Sequence, residues 1–387
     1  MVLKRRSFLQ LGLAGAALVG LPRCGRGAGN LVLVGARGGW DPTFALDPKD
    51  PADADGPSLY ASGAADDRDT VETFSGIPVV CNPVRRPAVA DFFGAFADRC
   101  VVVNGIEVGS IAHVECVRRM WTGGDGSAAS DSPDIAALAG GPLHPGAVVG
   151  CLDLGPGVLS GSLASTVVRI GRTGQIANLL VPTQGFAGDE DAIARWRARR
   201  AGNSRLHTLT IPDSDADAAT RAAGLPLALE GLALDPTDPV ATAVAALSTG
   251  TCGSVYVDTQ QHWDSHTDNS VQDTCWEALF VLLTSLGQGL QRRGLLDSTL
   301  VLVISEMGRP PARNSAGGKD HWPATSALLF GGGIRGARVL GGTDASLAPL
   351  DTGDGPITPA SLLAGVLDHL GGDAATAFVG TSPLGLD

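Results

Sequence analysis

After the first thirty residues the sequence holds no stretch long and apolar enough to cross a hydrocarbon core, which takes about 20 apolar residues. Every hydrophobic run is cut by a polar residue or a glycine, and one of the longest, Ala278-Leu279-Phe280-Val281-Leu282-Leu283, follows Glu277 and ends at Thr284. A membrane span in the mature protein is excluded on this reading. Positive charge is scarce too, with 28 Lys and Arg against 40 Asp and Glu, a formal net charge of −12. Five of the bases, Lys4, Arg5, Arg6, Arg23 and Arg26, lie in the first 29 residues, which hold no acid, so the remainder stands near −17. Such a field disfavours nucleic acid and anionic membranes as partners. No two cysteines form a C-x-x-C pair, so a zinc ribbon or a thioredoxin-like site has no support. There is also no internal repeat, which argues against a solenoid or propeller.

What is present begins with a leader. Lys4-Arg5-Arg6-Ser7-Phe8-Leu9-Gln10 precedes an apolar stretch from Leu11 to Leu21 and the small-residue run Gly25-Arg26-Gly27-Ala28-Gly29. That is the layout of a signal peptide, and paired arginines followed by Ser-Phe-Leu fit the twin-arginine form. Residues 1–29 are expected to be cleaved, the twin-arginine translocase to be a partner during export, and the mature protein to be periplasmic or secreted. An uncleaved anchor is the alternative for the apolar stretch. Lipidation at Cys24 is disfavoured, because Leu21-Pro22-Arg23 lacks the small residues such a site wants. Beyond Cys24 stand Cys81, Cys100, Cys116, Cys151, Cys252 and Cys275; in an oxidising compartment they permit up to three disulfides, with pairing left open.

At 387 residues, 44% hydrophobic and 18% charged, the chain can bury a large core. Continuous apolar runs read as strands buried on both faces: Asn30–Gly35, Cys100–Asn104, Gly253–Asp258, Thr299–Ile304 and Thr325–Phe330. Helical spacing marks Arg86–Phe96, Ala112–Trp121, Glu190–Arg200, Asp273–Arg293 and Pro359–Leu370. The stretches Asp47–Asp69 and Asp213–Pro239 read as surface loops, and Gly140–Leu180 yields only strand-like fragments. Strands alternating with helices imply parallel βαβ units. The expectation is a doubly wound α/β fold, a mostly parallel sheet flanked by helices, with residues 30–387 as a single domain.

Ligands of such sheets gather outside the carboxyl ends of the strands, and polar residues fall there repeatedly. Asp41 follows the first strand; His262, Asp264 and His266 follow the strand ending at Asp258; Glu306 follows Ile304, with Asp320 and His321 soon after. Carboxylates and imidazoles converging from separate strands make an oxygen-and-nitrogen metal site, which can polarise an ester. Asp264 and His266, two apart, would lie on one side of an extended segment. Ser110 stands where a helix N-terminus presents a hydroxyl to an anion, though serine is a favoured N-cap and that reading suits it better. His113 and Cys116 share a helix face, which admits a Cys-His nucleophile, but a buried face or a disulfide suits Cys116 better; His113 is a candidate substrate or metal contact.

Four motifs carry a resemblance: Gly38-Gly39-Trp40-Asp41, Trp263-Asp264-Ser265-His266, Ser305-Glu306-Met307-Gly308-Arg309-Pro310-Pro311 and Gly317-Gly318-Lys319-Asp320-His321-Trp322. In that order, after a twin-arginine leader, they resemble the domain-of-unknown-function family 1501, from about Asn30 to the final helix. The resemblance implies an alkaline-phosphatase- and sulfatase-like sheet with two metals at the strand ends. It implies Asp41 as the first metal-binding carboxylate, Asp264 and His266 as a middle pair, Glu306 as the acid ending a core strand and His321 as a late ligand; Asp320 is counted with them. Met307 departs from the Asp-His usual in active relatives, so one imidazole is missing. The function implied is a metal-dependent hydrolase or transferase of phosphate or sulfate esters. Zinc, calcium, magnesium and manganese remain open as the ion, Arg309 would stabilise the anionic group, and Ser110 or a metal-bound hydroxide would attack. The alternative is a non-catalytic exported binding protein that keeps the fold and one metal.

Overall fold

The computed structural model describes residues 29–49, 68–127, 131–147, 149–170 and 238–386. The expected leader except Gly29, the helix at Glu190–Arg200, and all but the ends of the loops at Asp47–Asp69 and Asp213–Pro239 lie outside them. Besides short 3-10 turns, the elements in chain order are β1 (Asn30–Gly35), β2 (Thr70–Phe74), β3 (Ile77–Cys81), α1 (Pro87–Phe96), β4 (Cys100–Glu107), α2 (His113–Thr122), α3 (Ile135–Gly140), β5 (Val149–Asp153), β6 (Val167–Arg169), α4 (Pro239–Ser248), β7 (Cys252–Asp258), α5 (Val271–Arg292), β8 (Thr299–Ile304), β9 (Ala324–Gly331), β10 (Arg338–Gly341), α6 (Pro359–His369) and α7 (Ala374–Ala377).

Eight strands form one sheet in the order β10-β4-β9-β8-β1-β7-β5-β6, and β2 and β3 pair separately as a hairpin. β1 lies in the middle, parallel to both β7 and β8. The sheet is mostly parallel, as expected, with one exception: β9 runs antiparallel to both β4 and β8. A parallel return needs a crossover, usually a helix. Residues 305–323 contain none, so the chain turns back beside β8.

Alternation along β1 divides the interior. Val32 and Val34 pack on one face with residues of α1, α4 and α5, among them Phe92, Phe280 and Trp276. Leu31 and Leu33 pack on the other with α2, α3 and α6, among them Trp121, Leu362 and Leu363. A strand covered on both faces has no polar side to show, which is why Thr299–Ile304 is buried from end to end. Each fully buried Leu, Val or Phe contributes about 1.5–3 kcal/mol relative to exposure. Among the described residues no helix is long and apolar enough to cross a membrane.

All six cysteines from Cys81 onward are buried and unpaired. Burial pushes the Cys81 and Cys252 thiols up to about 12 and that of Cys275 to about 11, so almost no thiolate exists at neutral pH. A Cys24→Ser variant is therefore expected to show no thiol reacting with a disulfide reagent within minutes under native conditions, and six after denaturation. Fewer than six after denaturation without reductant would reveal a disulfide.

Candidate metal centre

The loop after β1 turns on two glycines with positive φ, Gly38 (125°) and Gly39 (82°). A Cβ at Gly38 would lie 2.8 Å from the Asp264 amide nitrogen, and one at Gly39 2.8 Å from Met307 Cγ, so only glycine admits these neighbours. The turn aims the Gly38 N–H at Glu306, donating to Oε1 at 2.7 Å and Oε2 at 3.0 Å. Glu306 follows the core strand β8 and is almost wholly buried.

Four chain segments meet at this carboxyl edge. His113 is the first residue of α2, and Asp264 and His266 lie on the loop after β7. His321 precedes β9, and because β9 is reversed its starting end falls where the parallel strands finish. Donor atoms of His113, Asp264 and His321 all lie within 4.8 Å of one another. His266 Nε2 is 2.9 Å from His321 Nε2 and 3.1 Å from Asp264 Oδ1. Asp264 Oδ1 is 3.5 Å from His321 Nε2, and Oδ2 is 3.5 Å from His113 Nε2.

The opposite nitrogen of each ring has its own partner. His113 Nδ1–H donates to Glu306 Oε1 at 2.8 Å, and His321 Nδ1–H donates to the Ile111 carbonyl at 2.7 Å. His266 Nδ1 lies 3.4 Å from Asp320 Oδ1. With the proton held at Nδ1, each neutral ring turns an Nε2 lone pair inward, which is how metal-binding histidines are oriented. His321 and His266, facing each other through Nε2, need either a shared proton or a shared cation.

Electrostatics follow these contacts. The hydrogen bond to Glu306 holds His113 above the usual imidazole range, against the opposing effect of burial. Burial pushes His321 below it, despite the bond to Ile111. Burial alone would raise Asp264, but the hydrogen bond and charge of Arg309, with His266 and His113 beside it, hold it below the usual carboxylate range. The hydrogen bonds from Asn314 and His266 hold exposed Asp320 low.

The other sequence candidates stand differently. Arg309 is completely buried: Nε donates to Gly39 O at 2.8 Å, Nη1 to Lys319 O at 2.9 Å, and Nη2 to Gly38 O and, at 2.7 Å, to Asp264 Oδ1. It fixes the ligand loops rather than reaching solvent. Asp41 caps a 3-10 turn and is ion-paired with Lys319 at 2.7 Å, outside the imidazole cluster. Ser110 is not the cap of α2, whose N-cap is Ala112. Its hydroxyl donates to Glu115 Oε2 at 2.9 Å. Cys116 is buried and unpaired, as a residue on a buried helix face. Sequence reasoning passed over Lys319, Asn269 and Gln272, which enclose Asp41. A lysine two residues ahead of a candidate histidine was the one available signal.

Fold and site together define an α/β protein with an imidazole–carboxylate centre at the carboxyl edge of a mostly parallel sheet. Residues 242–385 match the model of the family described as "Protein of unknown function (DUF1501)", the family the motifs resemble. None of the curated proteins matches the chain in sequence. Among solved structures, the protein Ps i-CgsB is 13% identical with a TM-score of 0.43, over 92% of this chain and 75% of that one. The lipoteichoic acid synthase LtaP from Listeria monocytogenes is 9% identical with a TM-score of 0.42, over 92% and 74%. The putative sulfatase yidJ from Bacteroides fragilis is 10% identical with a TM-score of 0.36, over 92% and 80%. At these identities and TM-scores nothing of those proteins' activities is carried over to this chain.

Proposed function

We propose that this chain holds a divalent metal ion on His113, Asp264, His266 and His321, and with it hydrolyses or transfers phosphate or sulfate esters outside the cytoplasm. One observation carries the reading: the donor atoms of two imidazoles and a carboxylate converge, His266 adjoins two of the three, and each imidazole has a separate partner at its other nitrogen. Nitrogen-rich donors suit zinc better than calcium or magnesium, which take oxygen ligands. When bound, such an ion supplies Lewis acidity toward an anionic ester. The protein's part is to keep the His113 proton on Nδ1, donated to Glu306, and the His321 proton on Nδ1, donated to Ile111 O, and to fix Asp264 through Arg309. Asp264 and His266 remain 45% and 41% exposed, which leaves the centre accessible from solvent. The leader residues Lys4–Gln10 support action after export.

A second reading, a non-catalytic binding protein with the same centre, is favoured by the state of the neighbouring groups. Arg309 and Lys319 are committed to internal partners, and the Ser110 hydroxyl is turned to Glu115.

Metal analysis of the exported protein beside an Asp264→Ala/His266→Ala variant tests the centre. The wild type is expected to carry stoichiometric metal and the variant none. A metal-free, folded wild type would remove both the centre and the ester chemistry. With the metal present, turnover in a panel of aryl phosphates, phosphonates and sulfates separates the enzyme from the binding protein.

A further inference from the structure

The resemblance implies two ions and counts Asp41 and Glu306 among the ligands, and these two residues do not fit that part. Asp41 is completely buried. Its Oδ1 accepts from Thr43 N at 3.2 Å and Thr43 Oγ1 at 2.7 Å, and its Oδ2 accepts from Asn269 Nδ2 at 3.0 Å and pairs with Lys319 Nζ at 2.7 Å. A carboxylate offers about four lone-pair sites; three hydrogen bonds take three of them, and the Lys319 ammonium stands in ion-pair contact with Oδ2. Glu306 accepts from Gly38 N on both oxygens and from His113 Nδ1. Met307, next along the chain, is a buried thioether, a poor ligand for a hard cation.

A buried carboxylate must be neutralised, because an unpaired charge in low dielectric is among the costliest things a fold can hold. The usual means at a metal site is the ion itself. Here it is Lys319, which is 3% exposed in its side chain. Its backbone is held at both polar groups, since its N–H donates to Ser265 O at 3.0 Å and its carbonyl accepts from Arg309 Nη1.

We infer that the centre is mononuclear: the Lys319 ammonium supplies at Asp41 the charge that a second divalent ion would bring, and Glu306, released from ligation, orients His113 as an added imidazole for the single ion. The inference rests on the metal reading above. It also narrows the chemistry, because a two-ion clamp on both the attacking and the leaving oxygen is then not available to this site.

The test is stoichiometry, read without substrate. Full-length exported protein is stripped with chelator, titrated with cobalt and followed by visible absorption, then reloaded with zinc and measured by mass spectrometry. The expected result is saturation at one equivalent, for the wild type and for an Asp41→Asn/Lys319→Met variant, which removes both buried charges together. Two equivalents in the wild type would overturn the inference while leaving the metal centre standing. Loss of the single equivalent in that variant, with circular dichroism showing it folded, would overturn it as well, by making Asp41 a ligand. No bound metal in the wild type would overturn it together with the reading it rests on. The wild-type titration decides between one and two ions even if the double variant fails to fold.

Discussion

Replacing Arg309 by lysine is expected to destabilise the protein by about 3 kcal/mol, nearly as much as replacing it by alanine, and to weaken metal binding as well. The guanidinium is completely buried and its planar fork meets the carbonyls of Gly38, Gly39 and Lys319 and the carboxylate of Asp264. An ammonium on a flexible stem keeps the charge, but it cannot reach groups arrayed around a plane, and each buried carbonyl left without a donor costs about 1–3 kcal/mol. The effect reaches the centre because Asp264 takes its orientation from Nη2. Urea unfolding of the metal-free protein gives the stability, from a shift in midpoint at constant slope. Chelator competition gives the affinity. An Arg309→Lys variant as stable as the wild type would show that the charge alone matters and that the fork does not.

Glu306→Gln is expected to lower metal affinity by about 10–100-fold while leaving the ligands in place, the usual cost of losing a group that orients a metal-binding imidazole. The carboxylate takes the Gly38 N–H on both oxygens and the His113 Nδ1–H on one of them. A carboxamide has one accepting oxygen, so its NH2 must meet one of those two donors. If it meets His113, the ring gives up the tautomer that presents Nε2 inward. The measurement is competition with a chelator of known affinity, paired with the stability of the metal-free form so that a loss of fold is not mistaken for a loss of ligand. Unchanged affinity would show that His113 is oriented without Glu306.

The sheet's centre was legible in the sequence because nothing competes with it. Thr299–Ile304 and Asn30–Gly35 are continuous apolar runs stopped by polar residues or glycine, and both are strands over those spans. The long helix was expected at Asp273–Arg293 and occupies Val271–Arg292. The direction of β9 was not legible, since a buried strand reads the same both ways and only its connection decides. The β2–β3 hairpin escaped notice because β2 is largely exposed and carries no buried run. α4 escaped although its cap was in view: Asp238 accepts from Ala241 N and Pro239 follows, but the Asp- and Ala-rich surroundings read as loop.

For the site, the sequence shows which strand end a residue follows, and the structure brings His113, Asp264 and His321 to one place with His266 beside the last two. It does not show which donors reach an acidic side chain first. Asp41 and Glu306 look like ligands on paper, and the lysine and imidazole that occupy them come from 278 and 193 residues away in the chain, respectively.

The candidate ligands are spread widely along the chain, and that bears on how the molecule would hold its shape with an ion bound. His113 and Asp264 are separated by roughly 150 residues, and His266 and His321 by 55. An ion seated among them staples two large loops, and loop closure is what a cross-link removes from the unfolded chain's freedom. The cysteines of the described residues make no such link. Metal occupancy would then govern how slowly the protein comes apart, a service that small secreted domains commonly obtain from disulfides.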